Sequence, residues 1–222
     1  MKLTIFGATG GIGRHLVEQA LVAGHDVTAV VRDPARLPGA PQRVVTADLA
    51  AADPAVLRSA VAGADAVLSG LGPRSSADAG VASRGTRAVT EAMTASGVRR
   101  ILVVSAAPVG VVPSPGRPRP PRYDEGDGPL MRFVLGPAIR RVLRRHYADL
   151  AVMEEELRDG DLDWTVVRPP RLTDGRLTGD YRTAYGRNIR GGLTVSRADV
   201  AQLMLALLDR PESVRRTVGV AY

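Results

Sequence analysis

The feature that most narrows the fold is a spacing of glycines where two patterns meet. Lys2–Phe6 reads as a short apolar strand. Gly11–Ala23 reads as a helix, with apolar residues at 12, 16, 17 and 20 and a stop at Gly24. Between them runs Gly7-Ala8-Thr9-Gly10-Gly11-Ile12-Gly13. One glycine permits a tight turn, the next lets the backbone approach a pyrophosphate, and the last lets the helix pack closely on the strand. The helix start then offers free N–H groups and the positive end of a dipole to the phosphates. Strand, turn and helix in that order are the context in which this spacing signifies dinucleotide binding. The expected contacts are Gly7, Thr9, Gly10, Gly11, Ile12 and Gly13. The alternative is a glycine turn beside a degenerate, empty site.

The same rhythm continues downstream. Asp26–Val31 and Arg43–Thr46 read as strands. Asp53-Pro54 opens a helix, with Asp as N-cap and Pro at the first helical position, and Gly63 stops it. Ala66–Ser69 is a strand, about Gly80–Ser96 a helix, and Arg100–Val104 a strand apolar enough to be buried on both faces. A helix from about Tyr147 to Arg158, a strand Asp163–Val167, a helix Asp199–Leu208 and a strand Thr217–Val220 follow. Strand alternating with helix implies an α/β fold with a doubly wound, mostly parallel sheet. At 222 residues, one domain over 1–222 is expected, with a small C-terminal substrate-side region. The exception to the rhythm is a proline-rich loop over 105–129. A loop leaving the carboxyl end of a parallel strand lies where ligands bind, so it reads as substrate-side. The alternative is a disordered surface excursion.

The end of the second strand bears on which dinucleotide is bound. An NAD-preferring site carries Asp or Glu about 20 residues after the glycines, bonded to the ribose 2′-hydroxyl. Val30-Val31-Arg32-Asp33 offers Arg32 instead, whose planar fork suits a 2′-phosphate, and Arg36 adds charge. NADP(H) is therefore favoured over NAD(H), unless Asp33 turns to the ribose and Arg32 to solvent. Asp48, in Thr46-Ala47-Asp48-Leu49, is placed to accept from the adenine amino group or to cap a helix.

Gly7–Gly13, Val31-Arg32-Asp33, Ala47-Asp48-Leu49, Asp65-Ala66-Val67 and Trp164-Thr165-Val166-Val167-Arg168-Pro169-Pro170 together resemble the atypical short-chain dehydrogenase/reductase superfamily. More narrowly, the chain resembles its NAD(P)H-binding group that includes flavin reductase/biliverdin-IXβ reductase, with NmrA-like regulators as relatives. Leu177–Tyr181 and Val195–Val200 look like that group's C-terminal third. The resemblance implies a Rossmann fold and NAD(P) binding over nearly the whole chain. It implies that Gly70, Leu71 and Gly72 approach the cofactor ribose, that Arg74 reaches the pyrophosphate, and that Leu49 is a cofactor contact. Ser105 would be the superfamily's catalytic or positioning serine, also touching the cofactor. Pro169 and Pro170 would pass the nicotinamide. In the flavin-reductase relatives a histidine often follows that Pro-Pro. Here Arg171 stands in its place, where it could clamp an anionic substrate, bind the cofactor or point to solvent.

Standard superfamily members pair a Tyr with a Lys four residues later, the lysine lowering the phenol pKa. This chain has no such pair. Its one lysine is Lys2, Tyr147 is followed at that spacing by Ala151, and Tyr123 by Asp127. Ser105, Tyr147 and Arg171 remain as catalytic candidates. His146, beside Tyr147, is a candidate substrate-side acid.

Composition removes other classes. Without cysteine there is no disulfide, thiolate metal site or cysteine nucleophile. His15, His25 and His146 have no metal-ligand spacing. No apolar run approaches the ~20 residues of a membrane span, and the first strand starts at once, so a cytoplasmic protein without membrane attachment is expected. The net charge is +7, and every basic residue but Lys2 is an arginine, spread along the chain without a nucleic-acid motif, so no nucleic-acid partner is expected. The densest stretch, Arg132–Arg145, reads as a solvated helix face, with an anionic ligand or acidic partner as the alternative and Glu154-Glu155-Glu156 available to neutralise part of it. The expected partner is a small molecule, anionic or aromatic, bound by a monomer or homodimer.

Three functions fit these residues. The first is an NADPH-dependent reductase passing hydride to a flat, electron-poor acceptor such as a flavin, quinone or tetrapyrrole-like molecule, where orientation replaces side-chain catalysis. The second is a tailoring oxidoreductase or isomerase acting on a secondary metabolite. The third is an NmrA-like dinucleotide sensor without turnover.

Overall fold

The computed structural model describes residues 1–72, 80–128, 133 and 143–222. In chain order these hold β1 (Lys2–Phe6), α1 (Gly13–Val22), β2 (Asp26–Val31), β3 (Arg43–Thr46), α2 (Pro54–Val61), β4 (Ala66–Ser69), α3 (Val81–Ala95) and β5 (Arg100–Val104). Then follow α4 (Arg144–Asp159), β6 (Asp163–Arg168), β7 (Arg171–Thr173), β8 (Arg182–Tyr185), β9 (Thr194–Ser196), α5 (Arg197–Ala206) and β10 (Arg216–Ala221).

Eight strands form one sheet in the order β3-β2-β1-β4-β5-β6-β10-β8. All neighbours pair parallel except β8, which runs antiparallel to β10. The chain winds outward from β1 to β3, then returns to place β4 on the other side of β1. The loops leaving β1 and β4 therefore diverge, and the crevice between them is where open α/β sheets bind ligands. The fold is a Rossmann-like, doubly wound α/β sheet. β7 and β9 pair separately as a small two-stranded parallel sheet.

Period-two alternation splits β1 between two cores. Leu3 and Ile5 pack with Leu16, Val17, Val200 and Leu203 of α1 and α5. Phe6 packs on the opposite face with Leu57, Val89, Met93, Met153 and Leu157 of α2, α3 and α4. Thr4 lies on that second face and is buried, which it tolerates because its hydroxyl donates to the Ala60 carbonyl at 2.9 Å. Asp53 caps α2 by accepting from Ala55 N–H at 2.8 Å, and Pro54 fills the first position. α5 starts at Arg197, two residues earlier than the apolar spacing suggests, because Ser196 is its cap and accepts from Asp199 N–H at 2.9 Å. β7, β8 and β9 lie in an arginine- and glycine-rich stretch without alternation, and only their pairing partners make them strands.

The proline-rich loop is fastened over its described part, which corrects the reading of it as a disordered excursion. A short helical turn at Ala107–Val111 is followed by a bridge between Ser114 and Arg117. Gly116 N–H donates to Glu155 Oε1 on α4 at 2.5 Å. Asp124 Oδ1 accepts from Gly126 N–H at 3.0 Å and from Asn188 N–H at 2.8 Å. Asn188 Nδ2 also donates to the Ala107 carbonyl and to Asp127. One asparagine between β8 and β9 thus holds both ends of the loop.

Candidate active site

The crevice above β1 and β4 is lined by Gly7, Thr9 and Gly10 of the first turn and by Gly70, Leu71 and Gly72 after β4. Arg32 closes it at the end of β2, with Val30 and Val31 behind. Asp48 and Leu49 line it after β3, with Ala47, and Val81 enters from α3. Backbone meets backbone here. Gly7 sits at φ +70, the left-handed region that favours glycine, and a Cβ on it would lie 3.0 Å from the Gly70 carbonyl carbon and oxygen. A Cβ on Gly13 would lie 2.0 Å from the Gly7 carbonyl oxygen. The first N–H groups of α1 have no intrahelical acceptor, as at every helix start. Turn, neighbouring loop and helix start therefore form one cradle in which a phosphate would meet N–H groups rather than side chains.

Asp33 faces its own chain. Its Oδ1 accepts from Ala35 N–H at 3.1 Å, capping the short turn Pro34–Arg36. That leaves Arg32, not the neighbouring carboxylate, on the crevice lining. Arg36 ends the turn and is exposed, away from that lining. Asp48 is not a helix cap, since Asp53 takes that role. Its Oδ1 accepts from Ala50 N–H at 3.2 Å in a local turn on the crevice wall. Ile12 is buried in the core, and Gly11 lies against the side chain of Arg197, which pairs with Asp174 at 2.8 Å. Arg74 lies outside the described residues.

At the carboxyl ends of β5 and β6 the structure gathers a buried polar cluster. The Ser105 hydroxyl donates to Glu154 Oε1 at 2.6 Å. Arg168 Nε donates to the same oxygen at 2.9 Å, and its Nη2 donates to Oε2. Burial works against the Arg168 charge, but the facing carboxylate outweighs it and holds the guanidinium above its ordinary pKa. Ser105 is thus a positioned group, its hydroxyl proton committed to Glu154. Pro169 is buried, and its carbonyl accepts from Ala107 N–H at 2.9 Å, tying β6 to the loop after β5. Pro170 is half-buried beside it. The sequence carried a signal for Glu154. It shares the helical phase of Leu150, Met153 and Leu157, all buried. Arg132, Arg140 and Arg141 of the arginine stretch, which the three glutamates were expected to neutralise in part, lie outside the described residues, and the glutamates' described partners are others. Glu154 goes to Arg168, Glu155 to Gly116 and Glu156 to Arg87.

Beyond this cluster lies a cavity of about 390 Å³ between the proline-rich loop and the start of α4. Val111, Val112, Pro113, Pro120 and Pro121 form its apolar wall, and Arg122, Arg144 and Tyr147 its polar one. Tyr147 is 7% exposed, and its hydroxyl makes no hydrogen bond among the described residues. Burial pushes the phenol above its usual pKa, so it keeps its proton at neutral pH. The His146 ring lies 5.5 Å from it. Burial holds that imidazole below its usual value against the pull of Asp149, so it is neutral at pH 7. Arg171 is exposed on β7, where its N–H donates to the Leu193 carbonyl. The cavity arginines are Arg122 and Arg144, which sequence did not single out as site residues.

A family model described as NAD(P)H-binding matches residues 7–211, from the first glycine of the cradle to the turn before β10. The chain belongs to the NAD(P)H-binding family. Among curated relatives, a 3-diazoavenalumate denitrifying reductase from a Streptomyces species is 34% identical over 202 residues, covering 84% of this chain and 57% of that protein. The chain spans about half the length of the curated relatives it matches. Two solved structures share the fold. A short-chain dehydrogenase/reductase from Veillonella parvula, in complex with NADP, has a TM-score of 0.77 at 18% identity, over 100% of this chain and 94% of that one. ChuY, an anaerobilin reductase from Escherichia coli O157:H7, has a TM-score of 0.74 at 22% identity, over 100% and 97%. For an NAD(P)H-binding protein the cradle fits its ligand. The Gly7–Gly13 backbone would hold the diphosphate, and Arg32, Asp48 and Leu49 line the same recess, where they would meet the adenosine part.

The described residues hold no group of three or more His, Asp or Glu suited to a metal ion. Among them no helix is long and apolar enough to cross a membrane.

Proposed function

We propose that the chain is an NADPH-dependent reductase that passes hydride to a flat, electron-poor acceptor such as a flavin, quinone or tetrapyrrole-like molecule. The observation that carries this reading is a pair of recesses built on the same edge of one sheet. The cradle is made by the loops leaving β1 to β4, and the cavity by the loop leaving β5 together with the start of α4. Bound NADPH would supply two electrons and a proton as hydride, and the acceptor would take one further proton from water. Arg32 supports the phosphorylated cofactor, because Asp33 is turned into its own cap and does not repel a 2′-phosphate. Ser105 acts as a positioning residue through Glu154. Tyr147, protonated and without a hydrogen-bond partner among the described residues, offers a hydrogen bond to the acceptor. Ala151, where a lysine would assist a tyrosine in carbonyl reduction, lies buried, so the phenol is not activated that way.

The test is NADPH oxidation by the purified protein with FMN, riboflavin and a small quinone, with NADH in parallel. Turnover with NADPH above the rate without protein is expected. Tight NADPH binding with no turnover on any acceptor would overturn the reading in favour of a sensor.

The Streptomyces relative supports a second reading, since it is named for the denitrifying reduction of 3-diazoavenalumate. In that reading the same hydride chemistry serves a specialised small molecule as a tailoring step, with the proline-rich loop setting the substrate.

A further inference from the structure

We infer that the cavity beside Tyr147 holds an anionic group of the acceptor, a carboxylate or phosphate, with Arg122 and Arg144 as its counter-charges. This rests on the reductase reading and describes its acceptor.

The argument begins with charge. No Asp or Glu occurs between Asp127 and Asp149, while Arg132, Arg140, Arg141, Arg144 and Arg145 all do. Glu125, the carboxylate nearest to Arg122 in sequence, is exposed and forms no ion pair with either cavity arginine among the described residues, and the other carboxylates flanking the stretch are engaged elsewhere. Asp124 and Asp127 bind the Asn188 segment, Asp149 accepts from the N–H groups of Ala82 and Ser83, and Glu154, Glu155 and Glu156 bind Arg168, Gly116 and Arg87. Among the described residues neither Arg122 nor Arg144 forms an ion pair.

The second observation is independent of charge. Tyr147 is more than nine-tenths buried, lines the cavity, and has a hydroxyl with no hydrogen-bond partner among the described residues. The Tyr147 oxygen is not sealed off by protein, so its hydroxyl is open to a molecule in the cavity. At about 390 Å³ the space is of ligand size. Its apolar wall of valines and prolines suits a flat ring. The two guanidiniums at its polar side suit oxyanions, which they can bind through paired N–H donors. The loop is anchored through Gly116 and Asp124, so Arg122 is carried on a fixed frame.

The experiment uses three flavins that share one ring: riboflavin, FMN with its phosphate, and N10-carboxymethylflavin with its carboxylate. Each is titrated into the full chain saturated with NADP⁺, and binding is read from flavin fluorescence. At least one anionic flavin is expected to bind tenfold or more tightly than riboflavin, and the stronger one identifies the anion. In the Arg122→Gln/Arg144→Gln variant that ratio is expected to fall below threefold. In the unaltered chain it should also shrink between 50 and 500 mM salt, a readout that stands if the variant fails to fold. Equal affinities for the three, a ratio retained in a variant with native melting temperature, a ratio insensitive to salt, or no anionic flavin bound at millimolar concentration would each overturn the inference. NADPH oxidation in the same samples separates the two readings. Arginine-dependent binding without oxidation supports the anion site and overturns the reductase. Oxidation at equal kcat/KM for riboflavin and FMN keeps the reductase and overturns the anion site.

Discussion

Arg168 and Glu154 meet inside the protein as a two-pronged pair, with Arg168 Nε donating to Oε1 at 2.9 Å and Nη2 to Oε2. Both side chains are almost wholly buried. Removing one charge leaves the other desolvated and unpaired, which typically costs about 3–5 kcal/mol. Glu154→Gln is therefore expected to lower stability by roughly that amount in urea denaturation. A loss below about 1 kcal/mol would show that Arg168 finds water or another partner.

Arg32→Asp tests the cofactor assignment. Losing a charge-assisted bond to the 2′-phosphate and adding repulsion should weaken NADPH binding by about 10- to 100-fold. NADH binding should change little. Equal losses for the two, measured by fluorescence titration, would exclude Arg32 as the 2′-phosphate ligand.

Gly13→Ala asks whether the cradle depends on backbone contact. The added methyl would overlap the Gly7 carbonyl oxygen at 2.0 Å, so helix and strand must separate. The expected result is loss of detectable NADPH binding together with a fall in melting temperature. Gly24→Ala is a contrasting control. No atom crowds that position, but its φ of +77 makes the substitution strained, so it should cost stability without abolishing cofactor binding.

Tyr147→Phe and Ser105→Ala separate the acceptor side from the cofactor side. Tyr147→Phe removes a hydrogen-bond donor facing the cavity and is expected to cut kcat/KM for the acceptor by up to about tenfold. Ser105→Ala should slow turnover less, because it acts through Glu154. Both should leave NADPH affinity nearly intact. A tenfold rise in the NADPH Kd for either would place that residue at the cofactor instead.

Asp199 makes an acid-dependent contribution to stability. Burial would raise its pKa, but hydrogen bonds from the Tyr222 hydroxyl, the Gly179 and Thr178 N–H groups and the Ser196 hydroxyl outweigh this and lower it from 3.8 to about 2. A carboxylate depressed in the folded state stabilises above its unfolded pKa. That contribution, about 2 kcal/mol, is lost as pH falls from about 4 to about 2. Asp199→Asn should destabilise the protein at pH 7 and flatten this part of the stability curve. An unchanged slope between pH 4 and pH 2 would show that Asp199 does not carry it.

Much of the fold was legible because its signals are short-range. The glycine spacing, the Asp53-Pro54 start of α2 and the β-branched runs of β2 and β5 each act within one or two turns of chain. The cradle was legible for the same reason, since Gly7, Thr9, Gly10, Arg32, Asp48 and Gly70 all follow strand ends. The three short strands β7, β8 and β9 were not, because nothing in their residues outweighs what pairing supplies. The placing of Arg171 was not either. A residue after Pro-Pro can turn to either side, and here the pairing of β7 with β9 leaves its side chain exposed.

Sequence alone settled that a strand would lead through a glycine turn into a helix and that the chain would wind a mostly parallel sheet, because steric and capping rules operate on neighbours. It also put Ala151, not a lysine, four residues after Tyr147. Tertiary structure alone decided which carboxylate each arginine met. Glu154, Glu155 and Glu156 are alike in sequence, yet one helical turn sends them to β6, to the proline-rich loop and to α3. About 100° of rotation per residue separates their directions. What lies along each direction depends on strands paired across the sheet, and that is a property of the packed molecule.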